Sequence, residues 1–190
     1  QPPQLYDLTT LQRDLNKQHG LSAADTLAAA QNLYEAKLIT YPRTESRYVG
    51  KDLKPQIADV LGKLGEFWPD LVAPLDLARL PFTKRIVDDK KVTDHHAIIP
   101  TGQRPRNLGA HERQVYEAVT RQFIAAFHPV CLKDITTVEA VANGVKFQAK
   151  GTRIVEPGWT ALFPARATKQ DDDEAQTLPD SLHWPEFGNI

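Results

Sequence analysis

The chain has 190 residues, 41% of them hydrophobic, enough for one large domain or two small ones with real cores. Its 23 lysines and arginines stand against 24 aspartates and glutamates, so no overall basic charge marks a nucleic-acid binder, and any grip on phosphate must come from local clusters. No apolar run approaches the ~20 residues of a membrane span, no signal peptide opens the chain, and the single cysteine, Cys131, excludes an internal disulfide and fits a reducing cytoplasm.

In chain order, Thr9 with Gln12 reads as a capping box for a first helix ending near Gln18, before His19-Gly20. Ser22 with Asp25 opens a second helix, with Leu27, Ala30, Tyr34 and Leu38 expected on one face. The pair has the outline of a helix-turn-helix, but from Ser22 to Ala36 the second helix carries no cation, which makes it a poor reader of the major groove. Leu38 to Tyr41 is a short strand-like run closed by Pro42. A further helix is expected around Asp52 to Leu64, then a proline-rich loop to Pro81. The longest helix falls near Glu112 to Phe127, with Val115, Val119, Phe123 and Phe127 on one stripe and Pro129 ending it.

Beyond His128 the pattern changes. Alternating runs flank Asn143-Gly144, the two-residue signal of a β-hairpin, and Ile154-Val155 offers a third strand. Asp171 to Glu174 reads as a solvated acidic loop. The composition thus gives an α+β chain, helical to about His128 and β-rich after it, with no internal repeat. The chain contains no methionine and begins Gln1-Pro2-Pro3, which is read as a piece of a longer protein.

Chemistry concentrates in two segments. In Leu38-Ile39-Thr40-Tyr41-Pro42-Arg43-Thr44-Glu45-Ser46 the proline holds Tyr41 extended, and the i, i+2 spacing directs the Arg43 guanidinium to the same side as the phenol. A guanidinium can hold a phosphate in a bidentate grip, while Thr44, Glu45 and Ser46 add hydroxyls and a carboxylate nearby. A phenol bonded to phosphorus leaves more readily than a serine alkoxide, so a tyrosyl phosphodiester re-opens without a nucleotide to drive it. Spacing alone favours a plainer reading, with Tyr41 at an amphipathic strand end and Arg43 an exposed charge. The second segment is Val92-Thr93-Asp94-His95-His96-Ala97-Ile98-Ile99-Pro100-Thr101. Adjacent histidines on an extended run face opposite ways and seldom share a metal ion. A charged imidazole on a phosphate oxygen is one use for them, and local backbone contacts are another. Of the scattered cations, the pairs flanking this segment, Lys84-Arg85 above all, are the candidates for contact with a DNA backbone.

Together and in this order, the two segments resemble the type IA DNA topoisomerases. Leu33-Tyr34-Glu35 followed by Leu38 to Thr44 is similar to that family's active-site tyrosine motif, and Thr93 to Thr101 to its histidine motif. The proline after the tyrosine and the paired histidines are closer to the topoisomerase III branch. Thr9-Thr10-Leu11-Gln12, Arg121-Gln122-Phe123 and Gly158-Trp159 extend the likeness over roughly Leu5 to Phe163.

The resemblance implies that Tyr41 attacks DNA and becomes joined to a 5′ phosphate, with Arg43 steadying that phosphate and His95 in the phosphate-contacting position. Thr44, Glu45, Ser46, His96, Lys84 and Arg85 would lie along the bound strand. Glu45 stands where the family usually has aspartate, which leaves its role open. In fold, residues 10–128 would form a helical catalytic domain with a winged-helix-like core. It would be inserted in a β-rich arch entered by residues 1–9 and re-entered by 129–190. The family's Mg²⁺ site belongs to a TOPRIM domain outside this chain, so no metal site is expected here and the piece alone should be inactive. Single-stranded DNA and the TOPRIM domain are the implied partners, in a cytoplasmic, nucleoid-associated setting. A DNA-binding scaffold module and a tyrosyl phosphoesterase are the rival readings. The first would show salt-sensitive duplex binding indifferent to Tyr41, and the second would hydrolyse small diesters.

Overall fold

Residues 1–163 are described by the structure, a computed structural model, and they fall into two compact units, Gln1–Pro129 and the part from Val130 onward. The expected acidic loop at Asp171 to Glu174 lies outside the described residues.

Helix α1 (Leu8–His19) is capped by Asp7 rather than by the expected Thr9 with Gln12. The Asp7 carboxylate accepts the Thr10 N–H at 2.7 Å, and the Thr10 hydroxyl accepts the Asp7 N–H at 3.3 Å. A carboxylate serves both the orphan donors and the helix dipole, whereas a threonine hydroxyl serves only the first. Gln12 reaches instead to the Ala23 carbonyl, at 2.9 Å. Gly20 ends the helix in the left-handed conformation, φ 71°, with its N–H on Asn16.

Helix α2 (Ala23–Glu35) begins as expected, the Ser22 hydroxyl accepting the Asp25 N–H at 3.0 Å. Its buried stripe is Thr26, Ala29, Ala30 and Leu33; of the expected Leu27, Ala30, Tyr34 and Leu38, Ala30 lies on it and Leu38 is buried just beyond the helix, whereas Leu27 is only half-buried. Small alanines let the helix lie close against its neighbours, and Tyr34 is left outside, 40% exposed.

A 3₁₀ turn at Lys51–Leu53 leads into α3 (Lys54–Gly65), and the proline-rich stretch contains the one-turn α4 (Pro69–Val72). Helix α5 (Ala110–Ala126) carries the anticipated stripe: Val115, Val119, Phe123 and Phe127 are all buried, each contributing roughly 1.5–3 kcal/mol. Glu112 closes its first turn, accepting the Gly109 N–H at 3.0 Å and the Asn32 amide at 2.9 Å. Those two donors, Asn32 foremost, hold its carboxyl below the usual range and pin α5 to α2.

The main core joins Leu11 and Leu15 of α1, Leu33 of α2 and Val115, Tyr116 and Val119 of α5. Three extended segments are built into the same cluster through Tyr6, Ile39 and Ile98. Tyr6 bridges Ile98, and Ile39 bridges Pro100, both antiparallel. The chemistry-bearing segments are therefore tied into the core rather than hung from it.

In the second unit β1 (Leu132–Ala142) and β2 (Val145–Glu156) form the expected antiparallel hairpin. Asn143 and Gly144 turn it with φ of 50° and 77°, both positive, as a two-residue turn of this hand demands. Ile154 and Val155 are not a third strand. They continue β2, because the ladder runs on through Gly151 to Ile154, opposite Lys133, and Val155 falls where the register shifts before the Leu132–Glu156 pair.

Candidate active site

The site is set by how α2 ends. Lys37 adopts φ 59°, its N–H bonds to the Tyr34 carbonyl at 2.8 Å, and the Leu38 N–H returns to Leu33 at 2.9 Å. The chain leaves the helix sharply and runs extended toward Tyr41. The Thr101 hydroxyl fastens this corner from across the gap, donating to the Lys37 carbonyl at 2.6 Å.

From there the two motifs zip together. The Thr101 N–H bonds to Leu38 at 3.0 Å, and the Thr40 N–H to Ile99 at 2.9 Å. The Thr40 hydroxyl adds two more bonds, accepting the Ile99 N–H at 2.9 Å and donating to Ala97 at 3.1 Å. Past the tyrosine, Thr44 donates its hydroxyl to the His95 carbonyl at 2.9 Å and accepts the Ser46 N–H at 3.1 Å. Ser46 donates to the Lys91 carbonyl at 3.0 Å. The Leu8 N–H, at the head of α1, donates to the Thr44 carbonyl at 3.1 Å.

This ladder brings Tyr41 against His95, with ring centroids 4.4 Å apart and the planes tilted by 47°. Tyr34 meets the same phenol edge-on, at 5.3 Å and 77°. Tyr41 is half-buried, while Arg43, Glu45 and His95 are exposed around it. The half-buried phenol thus sits between two rings, beside an exposed imidazole and two residues before an exposed guanidinium.

The other residues singled out by sequence divide clearly. Thr44 and Ser46 are buried and spend their hydroxyls on the backbone of the histidine segment, so they hold the floor of the site. His96 is half-buried, with Nδ1 at 2.8 Å from the Ala97 carbonyl. Lys84 and Arg85 are exposed on a separate turn, where the Arg85 guanidinium reaches Pro2 and the Arg85 carbonyl accepts from Gln4, each at 3.4 Å.

One cluster escaped sequence reasoning. The Tyr48 hydroxyl accepts from Gln4 at 3.0 Å and from Lys91 at 3.2 Å, and the Lys91 ammonium lies 4.7 Å from the Tyr48 ring centre. Those donors, Lys91 first, lower the Tyr48 pKa. Its partners lie 43 and 44 residues away in the chain, so no local pattern announces it. Among the described residues no three His, Cys, Asp or Glu side chains gather as ligands for a metal ion, and no helix is long and apolar enough to cross a membrane.

The sequence profile of the family described as DNA topoisomerase matches residues 1–183. Among curated relatives, a DNA topoisomerase 3 of Shouchella clausii is 43% identical over 184 residues, covering 94% of this chain, and one of Bacillus subtilis is 40% identical over 184 residues, covering 93%. In both cases the chain spans 25% of the relative's length. Among solved structures, full-length topoisomerase I of Thermotoga maritima shares the fold, with a TM-score of 0.60 at 19% identity, over 97% of this chain and 29% of that one. With its paired tyrosine and histidine motifs zipped into one site, the chain belongs to the type IA DNA topoisomerase family and sides with its topoisomerase 3 members.

Proposed function

We propose that this chain supplies the nucleophile with which a type IA topoisomerase opens and reseals one DNA strand. The Tyr41 hydroxyl attacks a backbone phosphorus and forms an O–P bond as the bond to the 3′ oxygen breaks. The phenol gives up its proton and the departing 3′ oxygen gains one. The product is a 5′-phosphotyrosyl link, and attack by the 3′ hydroxyl reverses every step. The bond energy is kept in the link, so neither direction calls for ATP. Arg43 holds the non-bridging oxygens, and His95, against the Tyr41 ring, donates to the same phosphate. Glu45, His96, Lys84 and Arg85 contact the strand on either side, with Thr44 and Ser46 beneath it.

The observation that carries this reading is the Tyr41–His95 contact at 4.4 Å, made between segments more than 50 residues apart at a solvent-facing site. The Mg²⁺ used by the family finds no ligand set among the described residues, and we assign it to a TOPRIM domain of the longer polypeptide. By that assignment this chain relaxes no DNA alone, residues 10–128 form the catalytic domain with the lead-in through Tyr6 packed into its core, and the β1–β2 hairpin belongs to the arch. Single-stranded DNA is the substrate and the nucleoid the setting. The test is covalent capture of a labelled single-stranded oligonucleotide by the full-length protein with Tyr41→Phe. Capture should vanish, and its survival would remove Tyr41 as the nucleophile.

A further inference from the structure

We infer that Tyr34 is a positioning residue, holding the Tyr41 ring in the orientation from which it attacks; this rests on the reading of Tyr41 as the nucleophile. Tyr34 sits in the last turn of α2, off the buried stripe of Thr26, Ala29, Ala30 and Leu33, and it is 40% exposed. Burial therefore does not account for a large aromatic side chain there. What it does touch is the Tyr41 ring, edge-on at 5.3 Å.

The backbone between them leaves little slack. The turn at Lys37 is closed by the Lys37 and Leu38 N–H bonds back into α2, and its carbonyl is held by Thr101 at 2.6 Å. Thr40, next to Tyr41, is bonded on both its main chain and its hydroxyl to the Ala97–Ile99 run. With both ends fixed, the remaining freedom of Tyr41 is rotation of its own side chain. An edge-to-face partner on one side and the tilted imidazole of His95 on another restrict that rotation. A nucleophile held in its attacking geometry gains rate without any change in how tightly the strand binds.

The contact is between rings, so phenylalanine at position 34 should serve as well as tyrosine. The experiment compares Tyr34→Phe and Tyr34→Leu in the full-length protein. It measures single-turnover capture of a single-stranded oligonucleotide and, separately, equilibrium affinity for that oligonucleotide. Tyr34→Phe should capture within about twofold of the parent. Tyr34→Leu should be slower by about tenfold, the scale set by one aromatic pair in the transition state, with affinity unchanged. Three results would overturn the inference. The first is a Tyr34→Leu variant that keeps the parent rate. The second is an affinity that falls in step with rate, the mark of a base-stacking residue. The third is a Tyr34→Phe variant as slow as Tyr34→Leu, which would give the work to the hydroxyl. Tyr41→Phe, run alongside, separates the two levels: if it still captures DNA, the nucleophile is misassigned, whereas its silence together with an indifferent Tyr34→Leu removes only the positioning role.

Discussion

Phe123 and Phe147 are the same side chain in opposite circumstances. Phe123 is 1% exposed in α5, edge-on to Phe127 at 5.5 Å, which in turn meets Phe82 at 5.8 Å. Phe147 is 56% exposed on β2, opposite Ala140, among other open apolar positions such as Val141 and Val145. One unit is held by side chains gathered from distant parts of the sequence. In the other, the hairpin is held by its own turn and ladder, and most of its strand side chains are exposed. Two-stranded ribbons of that kind are marginal by themselves. The difference predicts that the helical unit responds steeply to a reduction in side-chain volume and the hairpin hardly at all. Phe123→Ala should cost about 3–5 kcal/mol and Phe147→Ala less than about 1 kcal/mol, read from urea unfolding. Equal costs would mean that the hairpin's apolar side chains are packed after all.

A backbone change sharpens the same contrast. Gly102 has φ 81°, and an added Cβ would come within 3.1 Å of the Lys63 side chain and 3.5 Å of the Val60 backbone. Gly144, at φ 77°, has nothing within 4 Å of that position. Both substitutions to alanine meet the left-handed penalty of about 1–3 kcal/mol, but only Gly102→Ala adds a steric cost. Gly102→Ala should therefore lower the unfolding midpoint of the helical unit. Gly144→Ala should act on the hairpin's own amide protection and leave that midpoint in place.

The division also explains what is legible in the sequence. The hairpin turn and the α5 stripe are local statements, carried by Asn143-Gly144 and by four apolar residues at helical spacing, and both can be read directly. The cap of α1 cannot, because Asp7, Thr9 and Thr10 all qualify by type, and only the geometry of the lead-in chooses Asp7. The stripe of α2 misleads because alanines count weakly in a hydrophobic pattern, although their small size is what the interface uses. At the site, the motifs single out Tyr41 and His95, and the fold gives them a common place. The contact of Tyr34 with Tyr41 is not legible, because a left-handed Lys37 turns the chain between them. Nor does spacing reveal that Thr44 and Ser46 face inward, since that is fixed by carbonyls of the histidine segment.

Thr40 is where the two motifs are most tightly joined, and it tests that junction with a smaller effect. Thr40→Val keeps the shape but strands the Ile99 N–H and leaves the Ala97 carbonyl with His96 Nδ1 as its partner. Stability should drop by about 1–2 kcal/mol. Covalent capture should slow as well, because the ladder that carries His95 to Tyr41 loosens. Slower capture at unchanged stability, or the reverse, would separate holding the fold from holding the site.

The smallest expected effect is a pH dependence confined to one unit. His128 is buried beyond the end of α5, with Nε2 at 2.8 Å from the Leu71 carbonyl. Burial holds its pKa below the ordinary 6.5, and the bond to Leu71, which pulls the other way, offsets this only in part. The folded chain thus binds the proton less readily than the unfolded chain. Stability is fully present above about pH 6.5 and falls as the pH drops through that value toward the folded pKa. In the hairpin the Asp134–Arg153 pair, at 3.2 Å, is exposed on both sides and too well screened to matter in this range. Amide exchange, corrected for its intrinsic rate, should therefore lose protection in α5 between about pH 7.5 and about pH 5.5 while β1 and β2 keep theirs. His128→Phe should flatten the α5 response. If α5 in that variant still loosens on acidification to the same extent, the protonation responsible lies elsewhere in the helical unit and His128 is a spectator.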